Sequence, residues 1–257
     1  MKYGLLIICI VVLCCIVNVI SYPKSNRCVQ TDEVVSIRLR EMDLSTFAKE
    51  YKDHNITLIG DIFTDDYFAH LKNEALGLIT YNNRNETFSG IRKAGTISSS
   101  KLSANPTIHS LYTSPEFIGF LKEITGLDLE RVNCDDKSSM NLLVYEKTGD
   151  FISWHKDPNH YKGNRITVLI NIVNESCSDP TQLSESFLQY KLDGSIVSVK
   201  MKPNSILVFN GSIVDHRATG IGPNERRIQL SFTYCDVCRE TFVGKPVRWL
   251  KETVLGY

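Results

Sequence analysis

The sequence lacks an excess of charge of either sign. Lysine and arginine together number 29, aspartate and glutamate also number 29, and the formal net charge of the 257-residue chain is zero. No basic cluster breaks this balance, which argues against nucleic acid or an anionic surface as a partner. Internal repeats and low-complexity tracts are also absent, and a hydrophobic fraction of 42% is ordinary for a folded protein.

Charge is missing altogether from residues 3–23. The apolar part of this run, Gly4–Ile20, is longer than a usual signal-peptide core of about 7–15 residues and slightly shorter than a membrane span of about 20. The residues three positions and one position before the cleavage site are small, which suits signal-peptide cleavage before Tyr22. We therefore expect residues 1–21 to be a cleaved signal peptide or a retained signal anchor. The protein is then expected in a membrane, as a single-pass protein, or in the secretory lumen or outside the cell.

Cysteine is scarce after the apolar run. Five cysteines remain, at positions 28, 134, 177, 235 and 238, and the odd number leaves at least one thiol free or paired outside the chain. Cys235 and Cys238 form a lone CxxC, which is weak evidence for zinc without a second CxxC or a histidine pair. A local disulfide and two unremarkable cysteines stay open as alternatives.

The rest of the chain divides into a helical part and a strand-rich part. Residues 22–40 are interpreted as a tether, and helices are predicted to begin after Thr64 and after Ser114 within residues 41–130. From residue 139 short strands follow, separated by turn residues: 141–146, 150–157, 165–173, 186–192, 195–202, 205–211 and 227–234. Many short strands with few helices between them favour a sandwich or closed barrel over a parallel α/β sheet.

His155 and Asp157 lie two residues apart on one predicted strand. Residues at i and i+2 of a strand point to the same face, so both side chains can reach one metal ion. Two imidazoles and one carboxylate are the ligand set of a mononuclear non-haem Fe(II) site. His216, which follows the strand 205–211, is the candidate third ligand.

A later strand alternates polar and apolar side chains, with Arg227, Gln229 and two hydroxyl residues on one face. A guanidinium on this face can bind a carboxylate through two parallel hydrogen bonds. Arg226 is the rival, but alternation places it on the apolar side of the strand.

In combination, these segments resemble the catalytic core of the Fe(II)/2-oxoglutarate-dependent dioxygenases, specifically the prolyl-4-hydroxylase-like branch. The matching pieces are NLLVYEKTGDFISWHKD, RITVLINIVN, SILVFNGSIVDH and RRIQLSFTY. The resemblance implies an α+β fold with a mainly β core, a double-stranded β-helix (jelly roll) over residues 139–235 with N-terminal helices packed outside. A single dioxygenase domain over residues 41–257 is expected, ending in a C-terminal extension at 236–257.

The resemblance also implies a cofactor set and the residues that hold it. His155, Asp157 and His216 would bind Fe(II), Arg227 would bind the distal carboxylate of 2-oxoglutarate, and Tyr145 would line the cosubstrate pocket. O2 is the other cosubstrate, and ascorbate is an accessory cofactor of such enzymes. No catalytic residue beyond the metal ligands is implied.

Three features depart from the family pattern or refine it. Asn174–Ser178 replaces a Gly-Gly pair in a loop expected to border the substrate side, so inherited substrate specificity does not carry over. Gln229 stands where some relatives have serine. Asp157 is retained where halogenating relatives have a small residue that admits halide, so the resemblance implies hydroxylation.

These observations predict a membrane-targeted hydroxylase that acts on prolyl or other residues of a protein in or beyond the secretory pathway. Hydroxylation of a small molecule or glycan is the alternative within the same class. From another class, a catalytically inactive jelly-roll binding protein is the alternative, and the intact set of three ligands and one arginine argues against it. Nucleic-acid demethylation is disfavoured by the targeting segment and the absence of a basic stripe.

Overall fold

A computed structural model describes residues 34–38, 43–86, 90–133, 136–176, 178–179, 181–242 and 244. The predicted targeting segment, residues 1–21, lies outside the described residues. Within the part that is described, no helix is long and apolar enough to cross a membrane. Residues 34–38, predicted to belong to the tether, are packed on the domain, because Ile37 forms a β-bridge with Phe63 and Arg38 an ion pair with Asp65.

The helices whose bounds the structure describes lie in the first half of the chain. They are α1 (Leu44–His54), α2 (Asp65–Gly77), a 3-10 turn (Ile79–Tyr81), α3 (Ser99–Leu102), α4 (Pro106–Thr113) and α5 (Pro115–Thr125). The predicted start of α5 is confirmed, because the Ser114 hydroxyl accepts a hydrogen bond from the backbone N–H of Phe117. The predicted start after Thr64 is also correct, although the Thr64 side chain makes no capping hydrogen bond.

The strands form one antiparallel sheet. They are β1 (Ile56–Ile59), β2 (Asn83–Glu86), β3 (Arg92–Ser98), β4 (Glu130–Arg131), β5 (Met140–Tyr145), β6 (Phe151–His155), β7 (Arg165–Ser176), β8 (Leu188–Leu192), β9 (Ser195–Val199), β10 (Ser205–Asn210), β11 (His216–Ala218) and β12 (Glu225–Cys235). Their order is β1-β10-β7-β12-β5-β3-β6-β11-β8-β9, with β2 paired to β3 and β4 to β12. Strands β1 to β3 were not expected in the helical part of the chain.

Residues from distant strands of this order meet across the interior. Asp157, which follows β6, accepts a hydrogen bond from Thr167 of β7, and the Phe209 ring of β10 contacts the His216 ring of β11. The sheet is therefore curled on itself. The predicted mainly β jelly roll with N-terminal helices is confirmed.

Strand β7 separates the helix-facing core from the interior of the roll. Every residue of β7 from Arg165 to Asn174 is buried, as expected for a strand covered on both faces. Ile166, Val168 and alternate residues after them join the core beneath the helices, whereas Leu169 packs inside the roll with residues of β8 and β10. Alternation along β7 thus decides which side chains line the site.

Candidate metal and cosubstrate site

The two candidate histidine ligands come from neighbouring strands. His155 ends β6 and His216 begins β11, and the two residues are directly paired in register, with ring centroids 4.2 Å apart. The next pair joins Ala218 to Ile152, so β6 carries one extra residue and forms a β-bulge. Ile152 consequently packs with the interior cluster around Tyr145, whereas strict alternation would place it on the face opposite His155.

Backbone carbonyls fix which nitrogen each histidine offers. The Nδ1 atom of His155 lies 2.8 Å from the Ser153 carbonyl oxygen, and Nδ1 of His216 lies 3.0 Å from that of Val214. A carbonyl only accepts, so each Nδ1 carries the proton and each Nε2 keeps a free lone pair. Burial lowers the pKa of His216, although Asp157 acts in the opposite direction. The lowered pKa favours the neutral ring that a metal requires.

The Asp157 carboxylate is held as an anion. Its Oδ2 atom accepts a hydrogen bond of 2.6 Å from the Thr167 hydroxyl and lies 3.1 Å from Nη1 of Arg165. Burial raises the pKa of this carboxyl, but Arg165, His216 and the Thr167 hydroxyl outweigh burial and hold the pKa at about 2. The carboxylate is therefore ready to bind a cation at neutral pH.

Gly211 leaves room for this carboxylate. The backbone N–H of Asp157 donates to the Gly211 carbonyl over 2.8 Å. A Cβ atom on Gly211 would collide with Oδ2 of Asp157 and lie 2.7 Å from the Thr167 hydroxyl. Glycine at this turn is thus required by the close approach of Asp157, not by backbone conformation.

His155, Asp157 and His216 form a cluster whose ligand atoms, one from each residue, all lie within 4.8 Å of one another. Within the described residues this is the one such cluster of three metal-binding side chains. Two imidazoles and a carboxylate fit Fe(II) better than a hard cation such as Mg²⁺, which prefers oxygen ligands.

Arg227 is a buried cation without an acidic partner among the described residues. It is 2% exposed and lies opposite Tyr145 in the sheet, with its guanidinium 4.4 Å from the centre of the Tyr145 ring. Its Nη1 donates to the Ser186 hydroxyl over 3.0 Å, whereas Nε and Nη2 have no hydrogen-bond partner. Burial lowers the pKa of this guanidinium. Two unused donors on a buried arginine match a carboxylate that binds beside them.

Arg226 has a different environment. It is half-buried, and its Nε lies 3.7 Å from a Glu146 carboxylate oxygen and 3.9 Å from one of Glu175. Its charge is already balanced by these acids. Of the two adjacent arginines, Arg227 is the one whose donors face the interior.

The expectation that Asn174–Ser178 forms a loop is wrong at its start, because β7 continues to Ser176. Asn174 is paired in register with Arg227, so it lies at the arginine end of the roll and not at the metal end. Its amide donates to the Met201 carbonyl and accepts from Ser184, and these bonds keep the strand extended. Gln229, by contrast, points inside as expected and contacts the Met201 sulfur at 3.4 Å.

Four residues of the site were not singled out by the sequence: Arg165, Thr167, Ser186 and Gly211. Alternation along β7 was a usable signal for the first two, since both share the interior face with Leu169. Nothing local marks Ser186 or Gly211, because their roles depend on strands that are distant in sequence.

The CxxC forms a local disulfide between Cys235 and Cys238. Between the two cysteines, Asp236 accepts hydrogen bonds of 2.7 Å from both the backbone N–H and the side-chain amide of Asn164. The end of β12 is thereby tied to the residue that precedes β7. Of the alternatives for this motif, the local disulfide is the one observed.

Comparison with known proteins agrees with this architecture. A family model described as HalD: Halogenase D matches residues 39–240, most of the chain. No curated protein sequence matches the chain.

Solved structures with a similar fold include the non-heme alpha ketoglutarate dependent epimerase SnoN from nogalamycin biosynthesis, at 16% identity and a TM-score of 0.60, covering 75% of this chain and 82% of that one. A second SnoN structure holds Fe3+, alpha ketoglutarate and nogalamycin RO, at 15% identity and a TM-score of 0.60, covering 75% of this chain and 83% of that one. A prolyl hydroxylase from Trichoplax adhaerens, in complex with a hypoxia inducible factor peptide, is 13% identical with a TM-score of 0.58, covering 75% and 89%. Identities of this size show a shared fold.

Proposed function

The chain belongs to the halogenase D family, and from that premise we propose that it is an Fe(II)- and 2-oxoglutarate-dependent dioxygenase that hydroxylates a substrate C–H bond. The observation that carries the proposal is a pairing of two features in one interior. A cluster of two histidines and one aspartate lies inside the same roll as a buried arginine with two unused donors. A binding scaffold without chemistry has no need of both.

The residues of the chain divide the binding of the cofactors between them. Nε2 of His155, Nε2 of His216 and one oxygen of Asp157 would hold the iron. Arg227, supported by Ser186 and covered by the Tyr145 ring, would hold the distal carboxylate of 2-oxoglutarate. When bound, iron, 2-oxoglutarate and O2 together supply the oxidant that replaces a substrate hydrogen by hydroxyl. Burial of Arg227 and Tyr145 excludes water from the cosubstrate.

The residue at position 157 supports hydroxylation over halogenation. A halide ligand needs the coordination position that a carboxylate occupies. Here the Asp157 carboxylate is present and is fixed by Thr167 and Arg165. The reaction of this chain is therefore expected to differ from the one in the name of its family.

Two substrate classes are candidates for this reaction. Prolyl or other residues of a protein remain the first candidate, and the likeness to a prolyl hydroxylase that holds a peptide supports it. A small molecule is the second candidate, and it is favoured by the likeness to SnoN, whose structure holds nogalamycin RO.

The test is the mass of the product. The full-length protein with Fe(II), 2-oxoglutarate and O2 is incubated in chloride buffer with a peptide library and, separately, a small-molecule library. Succinate release with the mass gain of one oxygen atom on one library identifies both the reaction and the substrate class. A product that carries chlorine contradicts hydroxylation, and an unreactive protein that binds neither iron nor 2-oxoglutarate contradicts the enzyme.

A further inference from the structure

We propose that Arg165 is a positioning residue that, with Thr167, restricts Asp157 to a single metal-binding oxygen. The inference rests on the proposed function, because it presumes that the cluster of His155, Asp157 and His216 binds Fe(II). It concerns how the carboxylate is held, which the ligand set alone does not specify.

The two oxygens of Asp157 have different environments. Oδ2 accepts a hydrogen bond of 2.6 Å from the Thr167 hydroxyl and forms an ion pair with Nη1 of Arg165, which lies 3.1 Å away without hydrogen-bond geometry. Oδ1 accepts no hydrogen bond from the described residues and lies 3.8 Å from Nε2 of His155. The asymmetry assigns Oδ1 to the metal and Oδ2 to the protein.

Arg165 is itself held rigidly. Its side chain is 9% exposed, and its Nη2 donates to the Thr233 hydroxyl over 3.1 Å. Thr233 in turn donates to the Ser138 carbonyl over 3.0 Å. The guanidinium therefore bridges Asp157 and β12, and its planar fork suits this double engagement better than a flexible ammonium would.

The backbone of Arg165 is also anchored on both sides. Its carbonyl accepts from the Gly211 N–H over 3.2 Å. The preceding Asn164 is bound by Asp236 inside the disulfide loop, and its side-chain oxygen accepts from the Asn210 amide over 3.1 Å. These contacts fix where β7 begins and hence where the guanidinium lies.

Restricting Asp157 to one oxygen has a chemical consequence. A free carboxylate binds a metal through one oxygen or through both. With Oδ2 engaged, three protein atoms hold the iron and three positions stay open, which is the number that a chelating 2-oxoglutarate and O2 require. Without the guanidinium, only the Thr167 hydroxyl still holds Oδ2, and the carboxylate is restrained less firmly against rotation or chelation.

The experiment compares iron binding by full-length wild-type protein with four variants under anaerobic conditions. Arg165→Met removes the charge and the fork, Arg165→Lys keeps the charge without the fork, and Thr167→Val removes only the hydroxyl donor. Arg217→Met is the matched control, because Arg217 follows a ligand directly but stacks on Trp154 on the outer face of the sheet. The readouts are the Fe(II) dissociation constant, the visible metal-to-ligand charge-transfer band that forms when 2-oxoglutarate binds the iron, and the circular dichroism spectrum, which reports whether the variant is folded.

Loss of a residue that orients a ligand weakens metal binding by about 10–100-fold. We expect this loss of Fe(II) affinity, with a shifted band, in Arg165→Met, and a smaller loss with a band shift in the same direction in Thr167→Val. Arg165→Lys should restore part of the affinity. Arg217→Met should give wild-type values. If Arg165→Met does not fold, the inference is tested by Arg165→Lys and Thr167→Val. Wild-type affinity and an unshifted band in the folded Arg165 and Thr167 variants overturn the inference. A folded wild-type protein that binds no Fe(II) overturns the proposed function itself.

Discussion

At the scale of single residues, Arg226 and Arg227 form a matched pair that differs only in surroundings. Arg227 is buried with unused donors, whereas Arg226 is balanced by Glu146 and Glu175. We predict that Arg227→Met weakens 2-oxoglutarate binding at least about 30-fold, since losing one partner of a buried charge-assisted pair costs about 2 kcal/mol or more. Arg226→Met should bind like the wild type. Titration of the iron-loaded protein with 2-oxoglutarate measures both, and equal affinities would assign the wrong arginine.

Gly211 is a second residue whose role can be tested alone. In Gly211→Ala the new methyl group meets Oδ2 of Asp157 and must displace the carboxylate. We predict an Fe(II) affinity lowered by about tenfold or more, as for other changes around metal ligands. Gly119→Ala is the control, because a Cβ there has no neighbour within 4 Å and sits in helix α5, where alanine is preferred to glycine. Unchanged iron binding in Gly211→Ala would show that the turn yields instead.

The meeting of His155, Asp157 and His216 was predictable from the strand spacing of the first two residues and from the family resemblance that added the third. Arg227 was predictable from alternation. Ser186 and Gly211 were not, since Ser186 acquires its role only when Arg227 of β12 packs against it, and Gly211 only when Asp157 does. Thr167 and Arg165 could have been placed on the interior face from the alternation of β7. They were not singled out, because β7 looked like a strand of the core.

At the scale of elements, the ion pair of Arg84 and Asp150 links β2 to the turn between β5 and β6. Both terminal guanidinium nitrogens of Arg84 donate hydrogen bonds to the buried Asp150 carboxylate. The carboxylate also accepts hydrogen bonds from the backbone N–H groups of Glu146 and Lys147. We predict that Asp150→Ala destabilises the protein by about 3–5 kcal/mol in urea unfolding, because it removes the buried carboxylate that binds Arg84 and the two backbone N–H groups. Asp128→Ala, which removes an exposed ion-pair partner, should cost less than about 1 kcal/mol. Equal costs would contradict this role.

The same carboxylate predicts a pH dependence. Burial raises the pKa of Asp150, but Arg84 and the two backbone N–H groups outweigh burial and leave the pKa below its ordinary value. A group with a lowered folded-state pKa stabilises fully above its unfolded pKa, about 4 for aspartate, and loses this effect as the pH falls through the folded value. The stability difference between wild type and Asp150→Ala should therefore shrink below about pH 4.

Element prediction succeeded where periodicity was local. Except for β11, which was not predicted, the strands of the roll from β5 onward were placed within a few residues, and the capped start of α5 was correct. β1 was missed because a four-residue strand has too little pattern, and it is defined by pairing with β10, far along the chain. The bulge in β6 was equally beyond reach, because it is set by the register against β11.

At the scale of the whole molecule, the apolar N-terminal segment bears on where the protein is located. The apolar residues 1–21 lie outside the described part of the chain, and targeting stays a prediction. We expect the full-length protein, expressed in a eukaryotic cell, to be recovered from membranes or from the medium, with Tyr22 as its first residue if the segment is cleaved. Removing residues 1–21 should leave it in the cytosol. Recovery of the intact full-length chain from the cytosol would contradict the prediction.

The central claim, that one interior joins an iron site to a 2-oxoglutarate site, is tested most directly by the anaerobic visible spectrum of the full-length protein. With Fe(II) and 2-oxoglutarate present and O2 excluded, chelation of the iron by 2-oxoglutarate produces a metal-to-ligand charge-transfer band. The account predicts this band in the wild type and its loss in Asp157→Ala. A folded wild-type protein without the band, or an Asp157→Ala variant with an unchanged band, would contradict it.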